Sequence, residues 1–265
     1  MKLALAQLPI SPNPDENLAA VQRFAVIASE QGAAVFVLPE MFMALPRKNT
    51  SLTTVAEPLD GPFVTALQNL AHKHHLYIIA GVWERIPGEK RVGNVAVMLS
   101  PHGELLTAYR KLHLFDALNV RESDSMLAGK VLPAVVPVAE FKIGMAICYD
   151  LRFPELFRYL AFQGADVMLL PSAWYAGTLK EDHWFTLLRA RAIENTCYVV
   201  GVNTIGASFC GRSAAFDPFG VQIADAGEQE QVLVIELQAE RLRNVRAKLP
   251  ALNHTRLNLS QSPLI

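Results

Sequence analysis

Cysteine is scarce, net charge is nearly absent and no apolar run is long. The 265 residues hold three cysteines, Cys148, Cys197 and Cys210, an odd number with no CxxC pair. That excludes a disulfide framework and a zinc ribbon, and it fits a reducing, cytoplasmic setting. Lys and Arg number 24 against 25 Asp and Glu, a formal net charge of −1. Such a balance argues against nucleic acid or an anionic membrane surface as a partner. No apolar run approaches the roughly 18 residues of a membrane span. The start, Met1-Lys2-Leu3-Ala4-Leu5-Ala6, has a leader-like composition, but Gln7, Pro9, Pro12 and Pro14 break it, so no signal peptide is expected. No low-complexity stretch, charge block or Gly/Ser linker divides the chain, and one domain over residues 1–265 is expected. Several motifs are missing as well. There is no Walker A loop, no strand-placed GxGxxG, no GxSxG elbow and no HExxH. Nucleotide binding, serine hydrolysis and zinc hydrolysis therefore have no motif support. His72, His74 and His75 crowd a helix end without ligand spacing, so no metal is expected.

Apolar content is what the chain has in abundance: 51% hydrophobic against 18% charged, enough for a large core and too much for disorder. Lys2–Leu8 reads as a buried strand. Asn13-Pro14-Asp15-Glu16 reads as a helix start, and Gly32 ends that helix. Ala34–Leu38 is the next strand. A similar strand–helix–strand unit runs through Lys142–Cys148, Pro154–Gln163 and Asp166–Leu170. Gly32-Ala33-Ala34-Val35-Phe36-Val37-Leu38-Pro39 resembles Gly164-Ala165-Asp166-Val167-Met168-Leu169-Leu170-Pro171. Chance and internal pseudo-symmetry both account for eight such positions. Between the units lie a helix near Phe63–His74, a strand at Leu76–Val82 and a meander turning at Pro87-Gly88 and Pro101-His102-Gly103. A helix around His183–Asn195, a strand at Cys197–Val202, a hairpin broken at Pro218-Phe219-Gly220, a strand at Gln231–Leu237 and a helix at Ala239–Lys248 follow. Crossover units mixed with hairpins predict an α/β fold with mixed sheets.

Four residues draw chemical interest. Cys148 ends a strand, and a turn then leads into a helix. A thiol there lies near helix N-terminal N–H groups, which favour a thiolate and an oxyanion. A buried core thiol is the competing reading. Glu40 follows a strand amid apolar residues, which suits a general base with a raised pKa or a plain loop acid. Lys111 would stabilise an oxyanion or be an ordinary surface cation. Glu122 is a weaker candidate. Cys197 and Cys210 lie in strand-like runs and read as core. Trp174 and Trp184 are pocket or packing residues, and His183 is a site group or a helix cap.

Taken together, these segments resemble the nitrilase superfamily of carbon–nitrogen hydrolases over essentially the whole chain. Leu38-Pro39-Glu40-Met41-Phe42 is similar to its glutamate motif, and Arg110-Lys111-Leu112-His113-Leu114-Phe115 to its lysine motif. Gly144 to Leu156 is similar to its cysteine motif. His183-Trp184, Arg189 to Glu194 and Asp217-Pro218-Phe219-Gly220 continue the match. The resemblance implies a four-layer α-β-β-α sandwich of two mixed sheets, a homodimer or higher homo-oligomer, and no cofactor. It implies Glu40, Lys111 and Cys148 as catalytic residues, Glu122 as a fourth, and the Tyr149 backbone N–H as an oxyanion donor. Trp174, His183 and Arg152 are expected to bind substrate, though Arg152 would equally brace its turn through Asp150 or Glu155.

The implied reaction is hydrolysis of a small-molecule amide through a thioester on Cys148. Lys111 to Ala117, Arg121-Glu122-Ser123, Arg191 to Tyr198 and Val245 to Pro250 are most similar to the branch acting on deaminated glutathione, which yields 2-oxoglutarate and Cys-Gly. The neighbouring omega-amidase branch, acting on 2-oxoglutaramate, is the alternative. Nitrile hydrolysis suits longer chains. A non-catalytic member that binds a metabolite or senses redox state would be expected to have lost one of Glu40, Lys111 and Cys148.

Overall fold

The computed structural model describes residues 1–47 and 50–256. The first half runs β1 (Lys2–Gln7), α1 (Pro14–Glu30), β2 (Val35–Val37), α2 (Pro62–His74), β3 (Tyr77–Arg85), β4 (Val92–Leu99) and β5 (Leu105–Arg110). A short hairpin, β6 (Asp116–Ala117) and β7 (Val120–Arg121), follows. The second half runs β8 (Val135–Val138), β9 (Phe141–Met145), α3 (Pro154–Phe162), β10 (Val167–Ser172), α4 (Lys180–Asn195) and β11 (Tyr198–Asn203). Another short hairpin, β12 (Ile205–Gly206) and β13 (Phe209–Cys210), precedes β14 (Ala214–Phe216) and β15 (Gln222–Asp225). Then come β16 (Gln231–Glu236) and α5 (Ala239–Lys248).

Local chemistry explains where these elements start and stop. Asn13 caps α1 by accepting a hydrogen bond from Asp15 N at 3.0 Å, with Pro14 at the first helical position. Val21, Ala25 and Ala28 form its buried stripe. Gly32 then adopts φ +73°, which lets the chain reverse into β2.

The strands form two six-stranded sheets, ordered β16-β1-β2-β3-β4-β5 and β15-β14-β11-β10-β9-β8. In the first, β1, β2 and β3 are parallel, while β16, β4 and β5 run antiparallel to their neighbours. In the second, β9, β10 and β11 are parallel, while β8, β14 and β15 are antiparallel to theirs. Read in opposite directions, the two sheets have the same order and polarity. Gly32–Pro39 and Gly164–Pro171 occupy equivalent places, each entering the middle parallel strand. Ala34 N bonds Lys2 O at 2.9 Å, just as Asp166 N bonds Lys142 O at 2.8 Å. The internal pseudo-symmetry that the sequence left open is therefore present in the fold.

Strand alternation sets the layers. Leu3, Leu5, Val35 and Val37 share one core with Ile143, Met145, Val167 and Leu169, so the sheets pack face to face. Ala4, Ala6 and Phe36 pack with Val21, Ala25 and Leu67 of α1 and α2. On the outer face of the second sheet, Gly144 lies under Leu160 of α3, and Gly201 lies under Trp184 and Leu188 of α4. The result is the α-β-β-α sandwich, each sheet buried on both faces.

Boundaries differ from expectation in two places that matter. β9 ends at Met145, and Cys148 opens a separate 3₁₀ turn, Cys148–Arg152. Helix α4 begins at Lys180, so His183 lies inside it and does not cap it. The cap position belongs to Leu179, at φ +58°. Residues 257–265, and with them most of the C-terminal stretch from Pro250, lie outside the described residues.

Candidate active site

Glu40 lies on the loop after β2, which stays bonded to β3 through Leu38 N to Ile79 O and Gly81 N to Pro39 O. The carboxylate is fully buried. Its Oε1 accepts from Lys111 Nζ at 2.9 Å and from Asn94 Nδ2 at 2.8 Å. Its Oε2 accepts from Ala173 N at 2.8 Å, a bond that crosses from one half of the molecule to the other. Three donors hold the carboxylate in one orientation and leave one acceptor site on Oε2 open.

Lys111 follows β5 and is fully buried. Besides Glu40 it reaches Glu122 Oε2 at 2.9 Å and Oε1 at 3.1 Å. Glu122 opens the 3₁₀ turn after the β6–β7 hairpin, and its Oε2 also accepts from Phe115 N at 2.8 Å. Burial alone would drive the ammonium to lose its proton, but the charges of Glu40 and Glu122 outweigh it and hold the pKa well above the ordinary lysine value. Glu122 is itself raised, by burial first, against the pull of Lys111.

Cys148 has φ +43°, a left-handed conformation unusual for a non-glycine residue. Met41, beside Glu40, has φ +59°. Both chemistry-bearing loops thus hold strained backbone, a common mark of functional sites. Burial, and next the Glu40 charge, push the Cys148 thiol well above its ordinary range, while Lys111 pulls the other way. This environment favours the protonated sulfur. The Ala173 N–H that bonds Glu40 pulls the thiol the same way as Lys111. Tyr149 follows in the first turn of the 3₁₀ segment, where N–H groups have no intrahelical acceptor.

Cys148, Tyr149, Ala173, Trp174, Phe115 and Glu122, with Tyr175 and Lys180, line a small pocket of about 270 Å³, counting the part open to solvent. Four anticipated residues, Glu40, Lys111, Glu122 and Cys148, thus converge, and Trp174 forms a wall. Arg152 and His183 do not line this pocket. They meet each other at 3.3 Å, and the Arg152 guanidinium lies over the Trp174 ring, 5.0 Å from its centroid. Trp184 is core, beneath Gly201. Cys197 is core, while Cys210 lies behind the pocket wall with its N–H bonded to Trp174 O at 3.1 Å; each thiol is pushed up to about 12 chiefly by burial.

Three contributors had no clear signal in the sequence. Asn94 sits mid-strand in β4, where an amide reads as an exposed polar residue. Asp150 is fully buried and does not pair with Arg152. It accepts from Tyr109 Oη at 2.8 Å, Ile147 N at 2.9 Å and His113 N at 3.2 Å, and its Oδ1 lies 2.7 Å from His113 Nδ1. It therefore locks the lysine loop to the cysteine turn. Lys180 opens the charged stretch Lys180-Glu181-Asp182, which reads as solvated.

A family comparison supplies the class. Residues 2–247 match the carbon–nitrogen hydrolase family model. The chain is 38% identical over 258 residues to the deaminated glutathione amidase of Escherichia coli O157:H7, covering 97% of each. Among solved structures, the Caenorhabditis elegans NitFhit protein superposes with a TM-score of 0.91 at 30% identity, over 97% of this chain and 66% of that longer one. Saccharomyces cerevisiae Nit3, a member of branch 10 of the nitrilase superfamily, superposes with a TM-score of 0.86 at 30% identity, over 97% of both chains. The chain belongs to the carbon–nitrogen hydrolase family and is a hydrolase of non-peptide carbon–nitrogen bonds.

Proposed function

We propose that the chain is a cysteine amidase that hydrolyses deaminated glutathione to 2-oxoglutarate and Cys-Gly. The observation that carries the reading is the buried Glu40–Lys111–Glu122 network beside Cys148, in a chain 38% identical to an amidase named for that substrate.

Glu40 takes the Cys148 proton as the sulfur attacks the amide carbon. Lys111 Nζ and the Tyr149 N–H stabilise the oxyanion. Glu40 passes the proton to the departing nitrogen, the C–N bond breaks, and a thioester remains on Cys148. Water then gives a proton to Glu40 and attacks the thioester. The acid leaves and the proton returns to sulfur. Glu122 holds Lys111 in place and does not exchange protons with the substrate. No step calls for a metal or an organic cofactor. The raised thiol pKa means that sulfur ionises as it attacks.

The test is 2-oxoglutarate release from deaminated glutathione and from 2-oxoglutaramate, side by side, with Cys148→Ala as the blank. A large kcat/KM preference for deaminated glutathione supports the assignment. A preference for 2-oxoglutaramate makes the chain an omega-amidase with the same chemistry. Turnover that survives in Cys148→Ala overturns the mechanism.

A further inference from the structure

The pocket holds a second lysine in a setting opposite to that of Lys111. Lys180, the first residue of α4, lines the pocket beside Cys148 and is only 7% exposed. Its Nζ lies between two rings, 4.5 Å from the Trp174 centroid and 5.3 Å from that of Phe115. Lys111 has two carboxylates within 3 Å. Among the described residues, no carboxylate lies within 4.0 Å of Lys180. Its charged neighbour is another cation, Arg152, over the same Trp174 ring. Burial, and next the Arg152 charge, lower its pKa. Two cations packed around one indole, with no anion between them, are an unfavourable arrangement on their own. Cation–π contact offsets only part of the cost. An arriving anion would remove it.

Which part of a substrate would bring that anion follows from the pocket's size and from the covalent step. The acyl chain stays on Cys148 while the amine departs, so the inner part of this small pocket, beside Lys180, is assigned to the far end of the acyl chain. We propose that Lys180 recognises a carboxylate at the distal end of the substrate's acyl chain, so that the preferred amides are half-amides of short dicarboxylic acids. This rests on the amidase reading above, and it selects among amides where that reading assigns the reaction. The side of the pocket toward solvent is left for the amine, which explains how one acyl subsite would serve leaving groups of different size.

The experiment has two arms, so that failure of the amidase reading and failure of the lysine assignment are distinguishable. In the first, kcat/KM is measured for glutaramate and for pentanamide, which differ only in a terminal carboxylate against a methyl. The wild type is expected to favour glutaramate by at least tenfold, and Lys180→Met to lower that ratio by at least tenfold. In the second arm, the rates of Cys148 alkylation by anionic iodoacetate and neutral iodoacetamide are compared by peptide mass spectrometry. The iodoacetate-to-iodoacetamide ratio is expected to fall at least threefold in Lys180→Met. Lys180→Gln, which also removes the charge, serves if the Met variant does not fold. An unchanged ratio in either arm overturns the assignment. Hydrolysis of deaminated glutathione by the wild type without turnover of glutaramate overturns the assignment; absence of turnover of all three amides overturns the amidase reading alone, and the alkylation ratio then decides for or against Lys180.

Discussion

Lys111 and Cys148 show how single residues acquire unusual properties from burial. A buried ammonium survives only because two carboxylates meet it, so its removal strands both. Lys111→Met is expected to lower the unfolding free energy by about 3–5 kcal/mol, as is typical when one partner of a buried ion pair is lost. Urea denaturation measures this, and a loss under about 1 kcal/mol would mean that the network adds little to the fold. The thiol responds to the same charges. Its pKa is raised, so at neutral pH little thiolate is present and reactivity climbs with pH. Alkylation of Cys148 by iodoacetamide in the free enzyme is expected still to be rising at pH 9, and Lys111→Met to move the rise higher. A plateau reached by pH 7 would contradict both. At this scale the sequence shows Glu40, Lys111 and Cys148 well, because each is an ionisable or nucleophilic side chain next to a strand end. It shows Asn94 and Asp150 poorly. Their roles come from contacts 54 and 41 residues away along the chain, to Glu40 and Tyr109.

The loops that carry the site are built by their neighbouring elements. A Cβ placed on Gly81 of β3 would lie 2.5 Å from Met41 N and 2.7 Å from Glu40 Cα. The absence of a side chain there lets the Glu40 loop lie directly on the strand. Gly81→Ala is therefore expected to displace Glu40, cutting kcat at least tenfold and costing about 1–3 kcal/mol of stability, as overpacking does. Activity near the wild-type level with unchanged stability would show that the loop relaxes freely. Helix α1 and the β3–β4–β5 meander are legible in the sequence because caps and turn residues are local signals. The start of α4 is not. Its cap, Leu179 at φ +58°, has no side-chain cap bond, so the helix begins three residues before His183 without announcing itself.

Across the whole molecule, the site sits at the seam between two similar halves. Glu40, Asn94, Lys111 and Glu122 come from the first, and Cys148, Ala173, Trp174 and Lys180 from the second. The Ala173 N–H bond to Glu40 crosses the seam, as does the Tyr109 bond to Asp150. Neither half holds a complete set. Partial separation of the sheets should therefore abolish activity at once. Amide hydrolysis and tryptophan fluorescence are expected to fall together in a denaturant series. Inactivation well ahead of the fluorescence change would place the site in a locally weaker region. Among the described residues no helix is long and apolar enough to cross a membrane.

By itself the sequence determined the class of elements and their order, and it marked Glu40, Lys111 and Cys148 as the candidate trio. Hydrophobic period, caps and turn residues act over a few positions, and the three motifs stand in recognisable local settings. It also carried the Gly32 and Gly164 repeat, but not whether that repeat was meaningful. Tertiary structure decided that two copies of one strand pattern face each other. It also decided which polar residues point into the seam and which of two lysines beside Cys148 has no carboxylate partner among the described residues. Those outcomes depend on packing and on the loss of solvent around charges brought together from distant positions, and no local pattern encodes either.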